Sequence, residues 1–569
     1  MKKSVVRILC FSAWLAALSV HAQDVEIAFK GDRVNIKNKC KDSINVDVQG
    51  TLVQVVSKFR DYEPEFLLKG KCGDGRVVLT TKGKAKVSLD GLQLTSREGA
   101  PLWLKNKKRV KVVAKNGSKN ELCVEAITDT AKQKAAVIFS KDNVKLGGKG
   151  ELTLLAKADG VKGINVKKNL TIDDLTLEVT TLGQNLGRDT TSFGFGFGGP
   201  GGPDFGGGFP PFGGPGFGGP REEGDTAHHH RGPGFGGPGG GFPGFNMDEM
   251  PEEMKAQFEE MRKRMEEARE KGEMPDFGGF GGPGFGGPGG AADGGAGFGG
   301  FGGGFGGFGF GGGESGDPDE PGGFGGKERY MGKTKAIKAM GQVVINSGRV
   351  TAKTVSAGAE GIEGKQGVTI NGGEVRVDAV DDAINANAPI IFNGGKVYAE
   401  SHNNDAVDAN YGSGMLGFGF GPQNNKSSDK KEGEPDPAIA VRGGEVYAWS
   451  HLGNPEEGLD CDFTPLEIKG GTVFTLGGGM GEMPSVPDTT SAYQPTVLLL
   501  GLNLEKGEKV LFKEGDKTVY TFEAPMNYKN SASIVTHPSF QLGHSYTVVT
   551  KAEERTVNFD EKFVISRKK

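Results

Sequence analysis

Four short segments in the second half of the chain share one pattern of charged and apolar residues. Each has an acid, then Gly or Ala, then a branched apolar residue, then an acid or amide. They are Glu360-Gly361-Ile362-Glu363, Asp382-Ala383-Ile384-Asn385, Asp405-Ala406-Val407-Asp408 and Glu457-Gly458-Leu459-Asp460, with Asp381, Asn404 and Glu456 beside them. Asp159-Gly160-Val161 is interpreted as an earlier copy shifted by three residues. We expect the acids to align at one place in successive repeats of the fold.

Acids aligned in this way would repel one another strongly. Neighbouring strands lie about 4.8 Å apart, and like charges at that separation cost about 3 to 4 kcal/mol per pair at an effective dielectric constant near 20. A bound cation relieves this repulsion, and a flexible number of oxygen ligands suits Ca²⁺ better than Zn²⁺. The pattern therefore predicts calcium at these acids. The alternative is that the acids cap turns, accept backbone hydrogen bonds and remain solvated.

A second column of side chains is predicted on the strand that follows each Gly-Gly pair. The valines of these strands should point inward, so the next residues should point outward. The outward residues are Arg376, Tyr398, Tyr447 and Phe474, with Asp378, Glu400 and Trp449 two residues further on. A row of outward aromatic rings would form a platform for stacking against sugars. The alternative is a cross-strand ladder that stabilises the sheet or is covered by another segment.

A repeat of short strands and glycine corners must position both columns. Val368 to Val375 recurs 22 residues later as Ile390 to Val397, and again as Ile439 to Val446 and Leu466 to Val473. Each unit has alternating apolar residues, a Gly-Gly corner and a further alternating strand. Such a unit cannot bury its apolar face alone, but stacked units can. The predicted fold is all-β: a right-handed parallel β-helix, or solenoid, with β caps.

Composition divides the chain into segments. Of the 569 residues 99 are Gly, and the stretch from Phe193 to Gly326 consists largely of Phe, Gly and Pro. We predict that this stretch is a long disordered insertion containing one amphipathic helix. The predicted boundaries are a signal peptide at 1–22, an N-terminal β cap at 23–91, the solenoid at 92–192 and 327–480, insertions at 193–326 (helix at about 248–271) and 411–437, and a small β domain at 488–555.

Charge and leader sequence restrict the classes of partner. The net charge of -4 provides no overall basic field for nucleic acid or an anionic membrane. Lys2, Lys3 and Arg7 precede an apolar run that ends near Ala22, which predicts export to the periplasm, the cell surface or the exterior. No later run is long enough to predict a membrane span. Cys40 and Cys72 could form a disulfide or remain free buried thiols.

These motifs resemble those of a bacterial secreted carbohydrate-binding family with a calcium-associated, pectin-lyase-like parallel β-helix. The resemblance covers nearly all of the chain from Asp24 to about Thr550. It implies binding of an acidic polysaccharide such as polygalacturonate, with calcium at the acidic corners. By this resemblance the candidate ligands are Glu360, Glu363, Asp382, Asn385, Asp405, Asp408, Glu457 and Asp460, with Asp381 beside them.

Three functions are consistent with the sequence. In the first, a non-catalytic binding protein holds a uronate through calcium, Arg376 and Arg442 neutralise further carboxylates, and Tyr398, Tyr447 and Trp449 contact sugar rings. The second is a calcium-dependent polysaccharide lyase, which also needs a basic residue beside the acids. No Lys or Arg stands in a distinctive motif next to the acids, so binding is preferred to cleavage. The third is a structural surface protein or adhesin without catalysis.

Overall fold

A computed structural model describes residues 23–128, 135–186, 333–410, 437–453, 455–461, 466–479, 485–487 and 490–568. These residues form 37 strands and no helix, so the described part of the chain is all-β. Most of the strand pairs are parallel. The predicted signal peptide, the Phe/Gly-rich insertion with its helix, and almost all of the second insertion lie outside the described residues.

The N-terminal strands begin as antiparallel pairs and then join parallel columns. The first pairs are β1 with β2 and β3 with β4, whereas β1 with β5 and β4 with β6 are parallel. The strands are β1 Val25–Lys30, β2 Arg33–Asn38, β3 Ile44–Gln49, β4 Leu52–Ser57, β5 Glu65–Cys72, β6 Arg76–Thr81 and β7 Ala85–Ser96. Parallel stacking thus starts within the segment predicted to be a cap.

Three columns of parallel strands follow, and each repeat adds one strand to each column, except that the last repeat adds none to the first. The first column contains β8 Leu102–Asn106, β11 Ala136–Ser140, β14 Lys162–Val166, β17 Lys335–Ala339, β20 Glu360–Gly364, β23 Ile384–Ala386 and β26 Val407–Ala409. The second contains β9 Val110–Ala114, β12 Val144–Gly147, β15 Leu170–Asp173, β18 Val343–Ile345, β21 Val368–Ile370, β24 Ile390–Phe392, β27 Ile439–Val441 and β29 Leu466–Ile468. The third contains β10 Lys119–Val124, β13 Glu151–Ala156, β16 Leu175–Thr181, β19 Gly348–Thr354, β22 Glu374–Ala379, β25 Lys396–Ser401, β28 Glu445–Ser450 and β30 Thr472–Gly479.

Most pairs of C-terminal strands are antiparallel, whereas β31 pairs with β37 in parallel. β34 pairs with both β30 and β31, and a separate four-stranded antiparallel sheet has the order β33-β32-β35-β36. The strands are β31 Thr496–Leu504, β32 Lys509–Glu514, β33 Lys517–Glu523, β34 Tyr528–Thr536, β35 Ser545–Val549, β36 Glu554–Asn558 and β37 Phe563–Arg567. Tyr528 donates a hydrogen bond to the Ser450 carbonyl (3.1 Å), which ties this region to the third column.

The inward side chains of the three columns form one continuous apolar core. Ile362, Ile370 and Val375, from the three strands of a single repeat, are all fully buried in it. The inward residues of the neighbouring repeats lie in the same core. Burial of these valines and isoleucines is the main term that holds the repeats together.

The Gly-Gly corners have a steric cause. The second glycine of four successive corners has a positive φ: 84° at Gly373, 84° at Gly395, 80° at Gly444 and 97° at Gly471. A Cβ atom at Gly395 would lie 2.6 Å from the Gly373 carbonyl oxygen, and one at Gly444 would lie 2.5 Å from that of Gly395. Any side chain at these corners would separate the repeats, so glycine is required.

The repeats on either side of the predicted long insertion are direct neighbours. β15 pairs with β18 and β16 with β19, in parallel and in continuous register. The Thr334 N–H donates to Asn185 Oδ1 (3.0 Å), although the two residues are 149 positions apart. In the described ranges no helix has the length and apolar character needed to cross a bilayer.

Candidate functional site: a charged column on the first sheet

The four acidic segments lie at equivalent positions of the first column. Ile362 pairs with Ile384, and Ile384 with Val407, and all three side chains lie in the core. Glu363, Asn385 and Asp408 follow these residues and therefore point to the opposite face of the sheet. An isolated parallel bridge joins Asp408 to Asp460. The structure thus brings the predicted acids together.

The register also corrects the interpretation of Asp159. Ile164 pairs with Ile337, so the earlier copy of the pattern is Lys162-Gly163-Ile164-Asn165 rather than Asp159-Gly160-Val161. Lys335-Ala336-Ile337-Lys338 is a further copy, directly before the first acidic one. The column therefore changes from lysine to acid along the stack. The sequence signal for these lysines is the Gly/Ala-Ile spacing that they share with the acids of the later copies.

The lysine–glutamate cluster, which comprises Lys335, Lys338, Lys365, Glu360 and Glu363, is a compact ion network. Lys335 Nζ lies 2.8 Å from Glu360 Oε1 and 2.7 Å from Glu363 Oε2. Lys365 Nζ lies 2.6 Å from Glu363 Oε1, and Lys338 Nζ lies 3.6 Å from Glu363 Oε2. Glu363 is fully buried. The two glutamates predicted as calcium ligands are thus already bonded to ammonium groups.

Mutual charge governs ionisation in this cluster. Burial acts to raise the pKa of Glu363, but the charges of Lys335, Lys338 and Lys365 outweigh it and hold that pKa well below its usual value. Burial likewise opposes ionisation of Lys335, yet Glu360 and Glu363 raise its pKa. Burial dominates at Lys338 and lowers its pKa to about 7. The positive and negative charges of the cluster are therefore largely paired with one another.

The acidic cluster, which comprises Asp381, Asp382, Asn385, Asp405, Asp408, Glu457 and Asp460, continues the column. The Asn385 Nδ2 group donates to Asp382 Oδ2 (2.7 Å) and to Asp408 Oδ2 (2.9 Å), and so bridges two repeats. Asp405 Oδ1 accepts the Glu457 N–H (2.5 Å). Asp382 is 3% exposed, and its Oδ1 atom accepts no hydrogen bond from the described residues.

Ionisation of the acidic cluster is opposed by its surroundings. Burial, together with the charges of Asp408 and Asp381, raises the pKa of Asp382 well above its usual value. Burial and the charges of Asp460 and Asp408 do the same for Asp405. Burial and Asp460 raise the pKa of Glu457 to about 8. A cation placed among these carboxylates would reverse all three shifts.

The donors of the acidic cluster fit calcium. They are carboxylate oxygens and one amide, with no sulfur or imidazole ligand, and hard oxygen donors in variable number are what Ca²⁺ takes. Rotation of the Asn385 amide would present its oxygen where its nitrogen now bridges Asp382 and Asp408. The buried Oδ1 atom of Asp382 supplies a further donor. Glu360 and Glu363 fit less well because Lys335 already binds both.

The predicted aromatic column lies on the outer face of the third column. Arg376 pairs with Tyr398, Tyr398 with Tyr447, and Tyr447 with Phe474. The Arg376 guanidinium lies 4.0 Å from the Tyr398 ring centroid, and the rings of Tyr398 and Tyr447 stack at 5.2 Å. The residues that the sequence aligns in this column are therefore direct neighbours on adjacent strands of the sheet.

The two ends of the aromatic column differ in accessibility. Phe522 of β33 stacks on Phe474 (3.5 Å) and on Tyr447 (6.0 Å), and Trp449 packs against the same C-terminal apolar cluster. Arg376 is exposed and Tyr398 half-exposed. The C-terminal sheet therefore covers much of the predicted sugar platform and leaves the Arg376–Tyr398 end accessible.

Arg442 lies elsewhere, on the asparagine side of the glycine corners. Arg442 is the counterpart of Asn393 one repeat later, and its Nε atom lies 3.5 Å from Glu467 Oε1. Arg376 is in β22, so the two arginines belong to different columns. Of the two alternatives for Cys40 and Cys72, the structure shows free thiols, and all four described cysteines are free.

Comparison with known proteins finds similarity to a carbohydrate-binding domain family. A family model described as "Carbohydrate-binding domain-containing protein" matches residues 49–190 and 324–406. The matched ranges include Asp382 and Asp405 and stop before Asp408. This chain is therefore similar to a carbohydrate-binding domain family over much of its parallel columns.

A relative and a solved structure were also found. A carbohydrate-binding domain-containing protein of Acetivibrio thermocellus is 24% identical over 161 residues, which are 27% of this chain and 53% of the relative. The match thus spans about half the length of that relative. A polysaccharide lyase-like protein from C. thermocellum, solved as a gadolinium derivative, aligns with a TM-score of 0.32 and 16% identity over 66% of this chain and 93% of that one.

Proposed function

We propose that the protein is an exported carbohydrate-binding protein that takes an acidic polysaccharide of the polygalacturonate type at the acidic cluster, with calcium as the linking ion. We further propose that the three columns close into a right-handed parallel β-helix, with the charged column along one outer face. The observation that carries the proposal is the row of acids Asp382, Asp405 and Glu457 in successive repeats, of which the first two are buried and the third half-buried, and whose pKa values are all raised.

The chain's own residues supply a site for an anionic sugar only with a cation present. Acids in successive repeats repel a uronate carboxylate as they repel one another. Calcium bound there would supply the positive charge that joins the two sets of carboxylates. Arg376, exposed and stacked on Tyr398, provides a second cationic contact on the adjacent face.

Retention on a polygalacturonate gel tests this proposal. The full chain should be retained in calcium and released by a chelator. Asp382→Asn combined with Asp405→Asn should abolish retention, whereas Asp90→Asn, which removes an acid from an ion pair with Lys115 in an early repeat, should not. Retention that ignores the chelator would overturn the calcium link, and a glycan array with no binding would favour a structural surface role.

One observation favours a polysaccharide lyase as the second candidate. Burial lowers the pKa of Lys338 to about 7, a value suited to a general base at neutral pH. The side chain is only 1% exposed, however, and a base must reach the substrate's proton. Binding therefore ranks first. Formation of unsaturated uronide on incubation with pectate and calcium, lost in Lys338→Met, would reverse this order.

A further inference from the structure

Two histidines of neighbouring repeats meet at the end of the third column. His402 and His451 follow β25 and β28 in equivalent positions, and their ring centroids lie 4.1 Å apart. The sequence carries a signal for this pair, because Tyr398-Ala399-Glu400-Ser401-His402 recurs as Tyr447-Ala448-Trp449-Ser450-His451. Neither histidine belongs to the charged column or to the predicted calcium ligands.

Each histidine is bonded to a carboxylate of the preceding repeat. His402 Nε2 lies 2.8 Å from Asp378 Oδ1, and His451 Nε2 lies 2.7 Å from Glu400 Oε1. Donor atoms of Glu400, His402 and His451 all lie within 4.8 Å of one another. Two ligands of one tetrahedral zinc lie about 3.3 Å apart, so small side-chain rotations would complete the site.

We propose that His402, His451 and Glu400 bind a divalent transition metal of the zinc, nickel or copper type, with Asp378 as a fourth ligand or as the hydrogen-bond partner of His402. Imidazole nitrogen selects these metals over Ca²⁺ and Mg²⁺, which prefer oxygen alone. All four side chains are between 24% and 40% exposed, so an ion has direct access. Three protein ligands leave one position open for water or a further ligand.

The alternative is a ladder of ion pairs without metal. Lys353 Nζ lies 2.5 Å from Asp378 Oδ2, so a chain of opposite charges already runs across these repeats. In that case the two histidines would only hydrogen-bond to Asp378 and Glu400, and no metal would bind. The two cases differ in whether zinc binds at neutral pH.

Zinc titration of the full chain by calorimetry tests the proposal. Millimolar calcium is added to saturate the acidic cluster, and His228, His229 and His230 are replaced by Gln in the parent variant to remove a competing triplet. We expect one zinc per chain, with at least tenfold weaker binding in His402→Gln and in His451→Gln. His537→Gln, at a histidine packed on Tyr520, is the matched control and should bind zinc as the parent does.

A second measurement separates lost ligands from lost folding. The electron paramagnetic resonance spectrum of bound Cu²⁺ should show nitrogen coupling in the parent and lose it in the His402→Gln, His451→Gln double variant. Thermal unfolding of that variant without metal reports its fold. Zinc or copper binding that persists unchanged in the folded double variant, or that disappears once His228 to His230 are replaced, would overturn the proposal.

Discussion

The lysine–glutamate cluster and the acidic cluster occupy the same positions of the same strand column, yet they solve opposite electrostatic problems. Around Glu363, lysines from its own and the preceding repeat lower the pKa of the buried acid. Around Asp382, one repeat further on, burial and like charges raise the pKa. The fold sets the spacing of the charges in both places. Only the residue types of adjacent repeats decide whether the site neutralises itself or favours an added cation.

The largest effect should follow from removing the central acid of the self-neutralised cluster. Glu363→Gln leaves two buried lysines, Lys335 and Lys338, with Glu360 as the remaining acid of the cluster, and breaking a buried pair from one side costs about 3 to 5 kcal/mol of unfolding free energy. Urea unfolding in chelator measures it. Glu98→Gln, which breaks an exposed pair with Arg76, should cost less than about 1 kcal/mol. Equal losses in the two variants would mean that Glu363 is not a buried ionic partner.

The acidic cluster should respond in the opposite direction. Without calcium, Asp382→Asn with Asp405→Asn should raise the unfolding free energy, because the repulsion between acids is relieved. Calcium at 100 times its dissociation constant should stabilise the natural chain by about 2.7 kcal/mol and the double variant by much less. Thermal unfolding with and without calcium measures both. A double variant that still gains the full stabilisation would place calcium elsewhere.

Acidification should stabilise the calcium-free protein through Glu457. A carboxyl whose pKa is raised from 4.5 to about 8 on folding binds more protons in the folded state, so stability falls as pH rises through that window. Between pH 5 and 7 we expect a loss of about 2.5 kcal/mol.

The difference between the natural chain and Glu457→Gln isolates this contribution. The range stops at pH 7 because burial lowers the pKa of Lys338 to about 7 and that of Lys162 to about 8, and these groups act in the opposite sense above it. Unfolding in urea at each pH gives the two curves. Parallel curves for the two proteins would show that Glu457 ionises normally.

The smallest effect is expected at the accessible end of the aromatic column. Tyr398→Ala should weaken polygalacturonate binding in calcium only about two- to fivefold, which corresponds to a cation–π contribution of about 0.5 to 1 kcal/mol at an exposed site. Tyr447→Ala should instead lower stability, because Tyr447 stacks on Phe522. Calorimetric binding and urea unfolding of both variants separate the roles. A loss of binding in Tyr398→Ala as large as that in the acidic variants would show that the main polysaccharide site lies on the third column and not at the acidic cluster.

Periodicity in the sequence predicted the all-β character and the alignment of the acids, because both depend on residue spacing. The Gly-Gly pairs in the sequence predicted the corners of the repeats. Glycine is required there because a Cβ atom would clash with the backbone of the neighbouring repeat. Closure of the columns into a right-handed parallel β-helix stays a prediction, as do calcium binding and export.

Side-chain contacts between repeats could not be predicted from residue spacing. Lys335 lies 25 positions before Glu360, and their contact became visible only from the pairing of β17 with β20. The covering of Tyr447 by Phe522 was equally hidden, since it depends on how a later sheet folds back. The histidine pair was accessible in principle, through the repeated Tyr-Ala-Xaa-Ser-His segment.

The hydrogen bond between Asn185 and Thr334 joins two residues that lie 149 positions apart in the sequence. Asn185 also donates to the carbonyls of Ala357 (3.1 Å) and Gly358 (2.7 Å). It therefore also bonds to the following repeat. These hydrogen bonds fix the position at which β17 begins, at Lys335, relative to the strand that precedes Asn185. The contacts at this junction therefore set the register from which the first column passes from lysine to acid.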